Sequence, residues 1–236
     1  MLIKRCWFDL KSKFFWAVGF FLCFSVYFIW AYFKAKEFTP IFFPGQEYSY
    51  IRHVNNFLFL LSIFLFELFA IVLALGGILV QKNKSAFHMT LSLPVKRIHW
   101  LLVHGGLTAL LVFVLIFGFT IFNLTVSHIF TGEHYPLDNA IINALFIWLA
   151  CLPFIGLSLL ANSFFHNGFK SIMSIFIVAI IACQLKLPLF LLNYPILYPL
   201  VGKKLHDFTW PELAIIILTT IVTTGLAIWR FNKNEY

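Results

Sequence analysis

Glu67 is the residue with the clearest chemical potential in this chain. It stands in the apolar run NFLFLLSIFLFELFAIVLALGGILV, residues 56–80, and is the only acid well inside such a run. An ionisable group at the middle of a bilayer costs about 3 kcal/mol or more, which makes it a functional candidate by default. A carboxyl there can hold a proton or a cation, or touch a substrate. It can equally be a neutral acid hydrogen-bonded to a neighbouring helix, or across an oligomer interface, and the residues leave both roles open. His104 lies near the start of the next apolar run and is followed by Gly105 and Gly106. Small residues there allow close helix approach. Glu67 and His104 are the candidate intramembrane polar site.

Other chemistry lacks its residues. There is no GxxxxGK[ST] phosphate loop, so the chain has no ATPase site of its own, and no HExxH pattern. A GxSxG nucleophile elbow is also missing. No two carboxylates face each other within the apolar runs, as an intramembrane hydrolase would need. Cys6, Cys23, Cys151 and Cys183 are scattered, without metal or CxxC spacing. The expectation is a protein that is not an enzyme, with no catalytic, metal or cofactor-binding residues.

The elements that would carry Glu67 and His104 are membrane helices. The 236 residues are 61% hydrophobic and 11% charged, against roughly 25% charged in an ordinary soluble domain. Several runs reach the roughly 20 apolar residues needed to cross a hydrocarbon core. The alternating segments of a β-barrel are absent. The expected fold is an all-α polytopic membrane protein with six transmembrane helices, at residues 14–33, 56–80, 100–122, 140–161, 171–185 and 211–229, in a single transmembrane domain. Residues 1–13 are basic and amphipathic with Trp7 on the apolar side, which predicts an interfacial helix. Residues 187–210 are apolar but broken by Pro188, Pro195 and Pro199, which suits short re-entrant helices between the fifth and sixth crossings.

Charge sets the orientation. With the amino terminus inside, eleven Lys and Arg fall on the inner side and six on the outer. The positive-inside rule then puts both termini in the cytoplasm. The net charge of +8 sits in short loops beside the apolar runs, which argues for topology and against nucleic-acid binding. The first apolar run is too long for a signal-peptide core and lacks a clear small-residue cleavage site.

The break between the second and third crossings contains TLSLPVKRIHWLLVH, residues 90–104. It resembles the Leu-Ser-Leu-Pro pattern, followed by a small and a basic residue, of the membrane subunits of ABC-2 type (type V exporter-like) ABC transporters. ANSFFHNGFK, residues 161–170, resembles that family's second inner turn, and residues 187–210 resemble its external re-entrant helices. Two departures stand out. The family often has an acid and a Gly just before the coupling helix, where this chain has QKNKSAFHM. It also commonly has a Lys after the basic cluster, near the place of His104.

The resemblance implies a permease subunit of an ATP-driven exporter, paired with a second identical or related permease and with two separate ATPase subunits that bind ATP and Mg. It implies a coupling helix at residues 85–93 on which the closing ATPase dimer presses. Phe87, Met89, Leu91, Leu93 and Pro94 would make the ATPase-coupling contacts, and Lys96 and Arg97 would anchor its end to anionic headgroups. A multi-pass place in a bacterial cell membrane follows, with a hydrophobic or amphipathic substrate such as a lipid or an exported antimicrobial peptide. The alternative from the residues themselves is an ion-coupled secondary carrier or channel using Glu67.

Overall fold

A computed structural model of the chain describes residues 2–42, 65–75, 97–132, 137–165, 168–184 and 210–233. All regular structure among them is helical. In chain order the helices are α1 (Leu2–Phe42), α2 (Leu65–Leu75), α3 (Arg97–Thr131), α4 (Leu137–Phe164), α5 (Gly168–Gln184) and α6 (Trp210–Lys233). Four of them, α1, α3, α4 and α6, are long and apolar enough to cross a membrane. This is an all-helical, membrane-embedded protein.

Helix is what the composition demands. In hydrocarbon no water pairs with the backbone, so every N–H and C=O must be satisfied within the chain. Side-chain hydroxyls follow the same rule by donating to carbonyls one turn back. Ser25 donates to Phe21, Thr108 to His104, Thr120 to Ile116 and Ser158 to Phe154, at 2.6–2.9 Å. Thr219, Thr220 and Thr223 do the same along α6. The outer surface carries Trp16 at 78% exposure, with Phe15, Leu218 and Ile221 also exposed. Side chains of that kind belong against lipid tails.

The helices differ from the expected spans in length. No break falls between residues 13 and 14, because α1 runs unbroken for 41 residues. Its first turns are part of the bundle: Cys6 and Leu10, on the expected apolar face, are fully buried, while Ile3 is exposed. α3 continues past residue 122 to Thr131, where Gly132 takes a left-handed conformation with φ of 67°. α4 is continuous through Pro153, although the missing N–H leaves one carbonyl of the preceding turn without its helical partner. The expected coupling helix, residues 85–93, and the re-entrant segment up to residue 209 lie outside the described residues.

Contacts between helices fix their directions. Lys13 meets Val72, and Phe21 stacks on Phe66, so α1 and α2 are antiparallel. His104 meets Ala74, and Phe119 meets Phe66, so α2 and α3 are antiparallel. Gly105 lies against Leu159, and Trp148 bonds to Ala109, so α3 and α4 are antiparallel. Gly156 abuts Thr223, and Arg230 covers Phe164, so α4 and α6 run parallel. One end of the bundle therefore gathers the starts of α1 and α3 and the finishes of α2, α4 and α6, with α5 leaving from where α4 stops. Lys4, Lys11, Lys13, Arg97, Lys170, Arg230 and Lys233 all belong to this basic end. Asp9 shares that end, and Lys34, Lys36, Glu37, Asp138 and Glu212 belong to the opposite one, so the basic excess lies at the first.

α4 is the central helix, packed against α3, α5 and α6, with its largest interface to α6. Trp148 on α4 donates from Nε1 to the Ala109 carbonyl at 2.9 Å and sets its ring edge-on to Phe113, centroids 5.4 Å apart. Interhelical hydrogen bonds in bilayers contribute about 0.6 kcal/mol on average and up to about 1.7. Trp148→Phe is expected to destabilise the detergent-solubilised protein by about 1–2 kcal/mol, counting the lost ring contacts. A thermal midpoint equal to that of wild type would contradict this bond.

Candidate functional site

The polar interior is organised on α2. Glu67, Ala70, Ile71 and Ala74 recur at spacings of three and four and so share one face. All four are buried, Glu67 to 2% exposure. The seven steps from Glu67 to Ala74 span two turns, about 10 Å of axis. The site therefore has two levels on one face, a carboxyl deeper in the bundle and a backbone carbonyl nearer the basic end.

At the upper level the Ala74 carbonyl is a node for two other helices. His104 Nε2 on α3 lies 3.3 Å from its oxygen, and Asn162 Nδ2 on α4 donates to it at 3.4 Å. Both side chains are 0% exposed. A carbonyl only accepts, so the His104 proton at this contact sits on Nε2. In the neutral ring Nδ1 is then a bare acceptor, and among the described residues it has no partner. Asn162 Oδ1 is likewise a buried acceptor without one. The imidazole stacks on Trp100, with centroids 4.9 Å apart and planes 7° from parallel, which fixes the ring. Lys13 on α1 donates to the Val72 carbonyl at 3.4 Å and lies within electrostatic reach of His104.

At the lower level neither oxygen of Glu67 has a hydrogen-bond partner among the described residues. Cys151 on α4 lies within electrostatic reach of it. An aromatic group packs around Phe66, the residue next to Glu67 on the side away from the basic end. Phe21 and Phe66 stack at 4.3 Å, and Phe119 sets its edge against both, at 5.3 and 5.5 Å.

The fold thus brings Glu67 and His104 onto neighbouring helices, two turns apart on the face of α2. They do not meet in a single cluster. Arg97 is the first residue of α3, at the basic end. Phe87, Met89, Leu91, Leu93, Pro94 and Lys96 lie outside the described residues. Three participants were not singled out from sequence: Asn162, Lys13 and Trp100. Asn162 carried a usable signal, since it follows Cys151 by eleven residues, three helical turns, and so shares its face. Lys13 carried none, because its role depends on α1 running unbroken into the bundle.

No group of three or more His, Cys, Asp or Glu that could hold a metal ion exists among the described residues. What the arrangement offers is hydrogen-bond acceptance: a carboxyl, a ring nitrogen and an amide oxygen, all buried in apolar packing. No protein-family model matches the chain, and neither a curated protein nor a solved structure matches it.

Proposed function

We propose that the chain is the membrane subunit of an ATP-driven exporter of the ABC-2 type, a six-crossing permease with external re-entrant helices within residues 187–210. The observation that carries this reading is the string LSLPVKR, residues 91–97, entering α3 at its first residue. The basic end supports it, because α2 finishes and α3 starts there, and positive residues favour the cytoplasmic side. An ATPase subunit would dock on that side, against residues 85–93. The chain has no phosphate loop, so the energy would come from that partner, which would hold ATP and Mg. A second permease copy or a related subunit would complete the path. The lipid-facing aromatic surface and apolar interior suit a hydrophobic or amphipathic cargo, a lipid or peptide, in a bacterial cell membrane.

The decisive experiment is affinity purification with the ATP-binding subunit produced from a neighbouring gene, followed by transport-coupled ATP hydrolysis in vesicles. Replacing Leu91 and Leu93 by Asp should weaken the complex by about 2 kcal/mol or more, roughly thirtyfold, as at an interface hot spot. Coupled hydrolysis should fall in proportion, while the bundle stays folded. An unchanged complex with unchanged transport would defeat the proposal.

A further inference from the structure

Glu67 presents a problem of partners. Its two oxygens are buried, and no donor among the described residues reaches either. The titratable groups on the helices around this part of α2 can be named helix by helix. α1 contributes Lys13, which donates to Val72, and α3 contributes His104, which is engaged with Ala74. α4 contributes Cys151. On α5 and α6 the described basic residues are Lys170, Arg230 and Lys233, all at the basic end, with Arg230 over Phe164 and Lys233 over Trp229. Among the described residues a carboxylate here would have neither a countercharge nor a donor, and a buried ion in that condition is among the costliest groups a protein can hold.

The ligand that suits such a site is limited by size. A hydrated cation brings several oxygens and needs several more from the protein. Glu67 stands alone for that purpose, with Phe66, Ala70 and Leu73, all at or near 0% exposure, as neighbours on its own helix. A proton needs neither room nor further ligands.

We infer that Glu67 is a proton-binding site whose occupancy is coupled to the packing of α2: the arrangement described here is the protonated one, and release of the proton requires the Glu67 face of α2 to reach water. The polar node at Ala74 gives the direction of that opening. His104 Nδ1 and Asn162 Oδ1, acceptors without a partner among the described residues, lie toward the basic end from Glu67, whereas the packed rings of Phe21, Phe66 and Phe119 lie toward the other end. The sign follows from linkage. The packed form binds the proton more tightly than the opened form, so packing is favoured at low pH and opening grows as pH rises, with a limit of tenfold per pH unit for one proton. The inference holds whether or not an ATPase drives the protein.

Hydrogen–deuterium exchange of the full-length protein in lipid nanodiscs tests it. Peptides covering residues 65–75 are followed between about pH 6 and about pH 10. Rates are corrected for intrinsic chemistry and compared with residues 111–116 of α3. In wild type, opening of α2 should rise toward tenfold per pH unit over part of the range. Glu67→Gln, which mimics the protonated acid, should remove that rise. The infrared band of a protonated carboxyl should be present at neutral pH and vanish in the same variant. Opening of α2 that ignores pH in wild type, the same pH response in Glu67→Gln, or no protonated carboxyl at neutral pH would each overturn the inference. Should Glu67→Gln fail to fold, the wild-type exchange profile and infrared band decide the matter on their own.

Discussion

Gly156→Val is expected to break the seam between α4 and α6, lowering stability by about 3 kcal/mol, the upper range for overpacking a close-packed interior. Gly156 is buried, and a Cβ built on it would collide with Thr223 Oγ1 and lie 3.2 Å from both Thr223 Cβ and Thr224 Oγ1. Thr223 cannot simply rotate away, because its hydroxyl donates to Thr219 at 2.8 Å, with a longer contact of 3.2 Å to Thr220. Two effects oppose each other at this position. Replacing a helical Gly by Ala gains about 1 kcal/mol of helix propensity, and by Val less. The overlap exceeds that gain, since α4 and α6 pack extensively along their length and small residues let membrane helices approach this closely. Gly156→Ala should show the same sign at smaller size. Thr223→Ala should partly restore it, with a coupling energy of about 1–2 kcal/mol in a double-mutant cycle. Thermal unfolding in detergent measures all three. An unchanged midpoint for Gly156→Val would mean that the two helices do not meet here.

Substitutions at Glu67 should go in opposite directions. Glu67→Lys places an ammonium in a core that offers no counterion among the described residues, within a bundle that already brings Lys13 near α2. Removing compensation from a buried charge typically costs about 3–5 kcal/mol, and the variant is expected to lose its cooperative thermal transition. Glu67→Leu replaces two oxygens that have no partner among the described residues with apolar atoms of similar extent. Each buried unsatisfied polar group costs about 1–3 kcal/mol, so this variant should be as stable as wild type or more stable by up to about 2 kcal/mol. A stabilised Glu67→Leu protein that has lost activity would mark a residue kept for function at the expense of stability. Loss of stability in Glu67→Leu comparable to that in Glu67→Lys would show instead that the carboxyl has a structural partner.

Much of the candidate site was legible at the level of single residues. Glu67 stood out because ionisable groups are rare in apolar runs, and it proved buried, with no hydrogen-bond partner among the described residues. His104 was legible as a polar residue next to two glycines. What it touches was not, because the acceptor is a backbone carbonyl thirty positions earlier and every residue has one. Asn162 was assigned to a turn, since the sequence gives no sign that α4 extends to Phe164. Helix ends shift easily where apolar and polar residues mix, and here the Asn162 bond to Ala74 and the packing of Ala161 with Ile71 and Leu75 of α2 hold the extra turn. The same applies to residues 1–13. Their amphipathic pattern suited a membrane surface, yet a neighbouring protein core satisfies the same pattern, and Cys6 and Leu10 are buried there.

The sequence by itself determined the class. Backbone groups in an apolar chain must pair locally, so a composition with 61% hydrophobic residues in long runs yields helices of membrane-crossing length. It also determined which residues were chemically unusual, because rarity in context is a local property. Only the tertiary structure decided which helices run side by side, which end collects the basic residues, and which groups share a carbonyl. Those features arise from side-chain shape across helices, such as Gly156 against Thr223 or Phe21 against Phe66. In a bilayer the lipid is as apolar as the protein core, so hydropathy cannot say which face of a helix turns inward. Packing and the few buried polar groups make that choice.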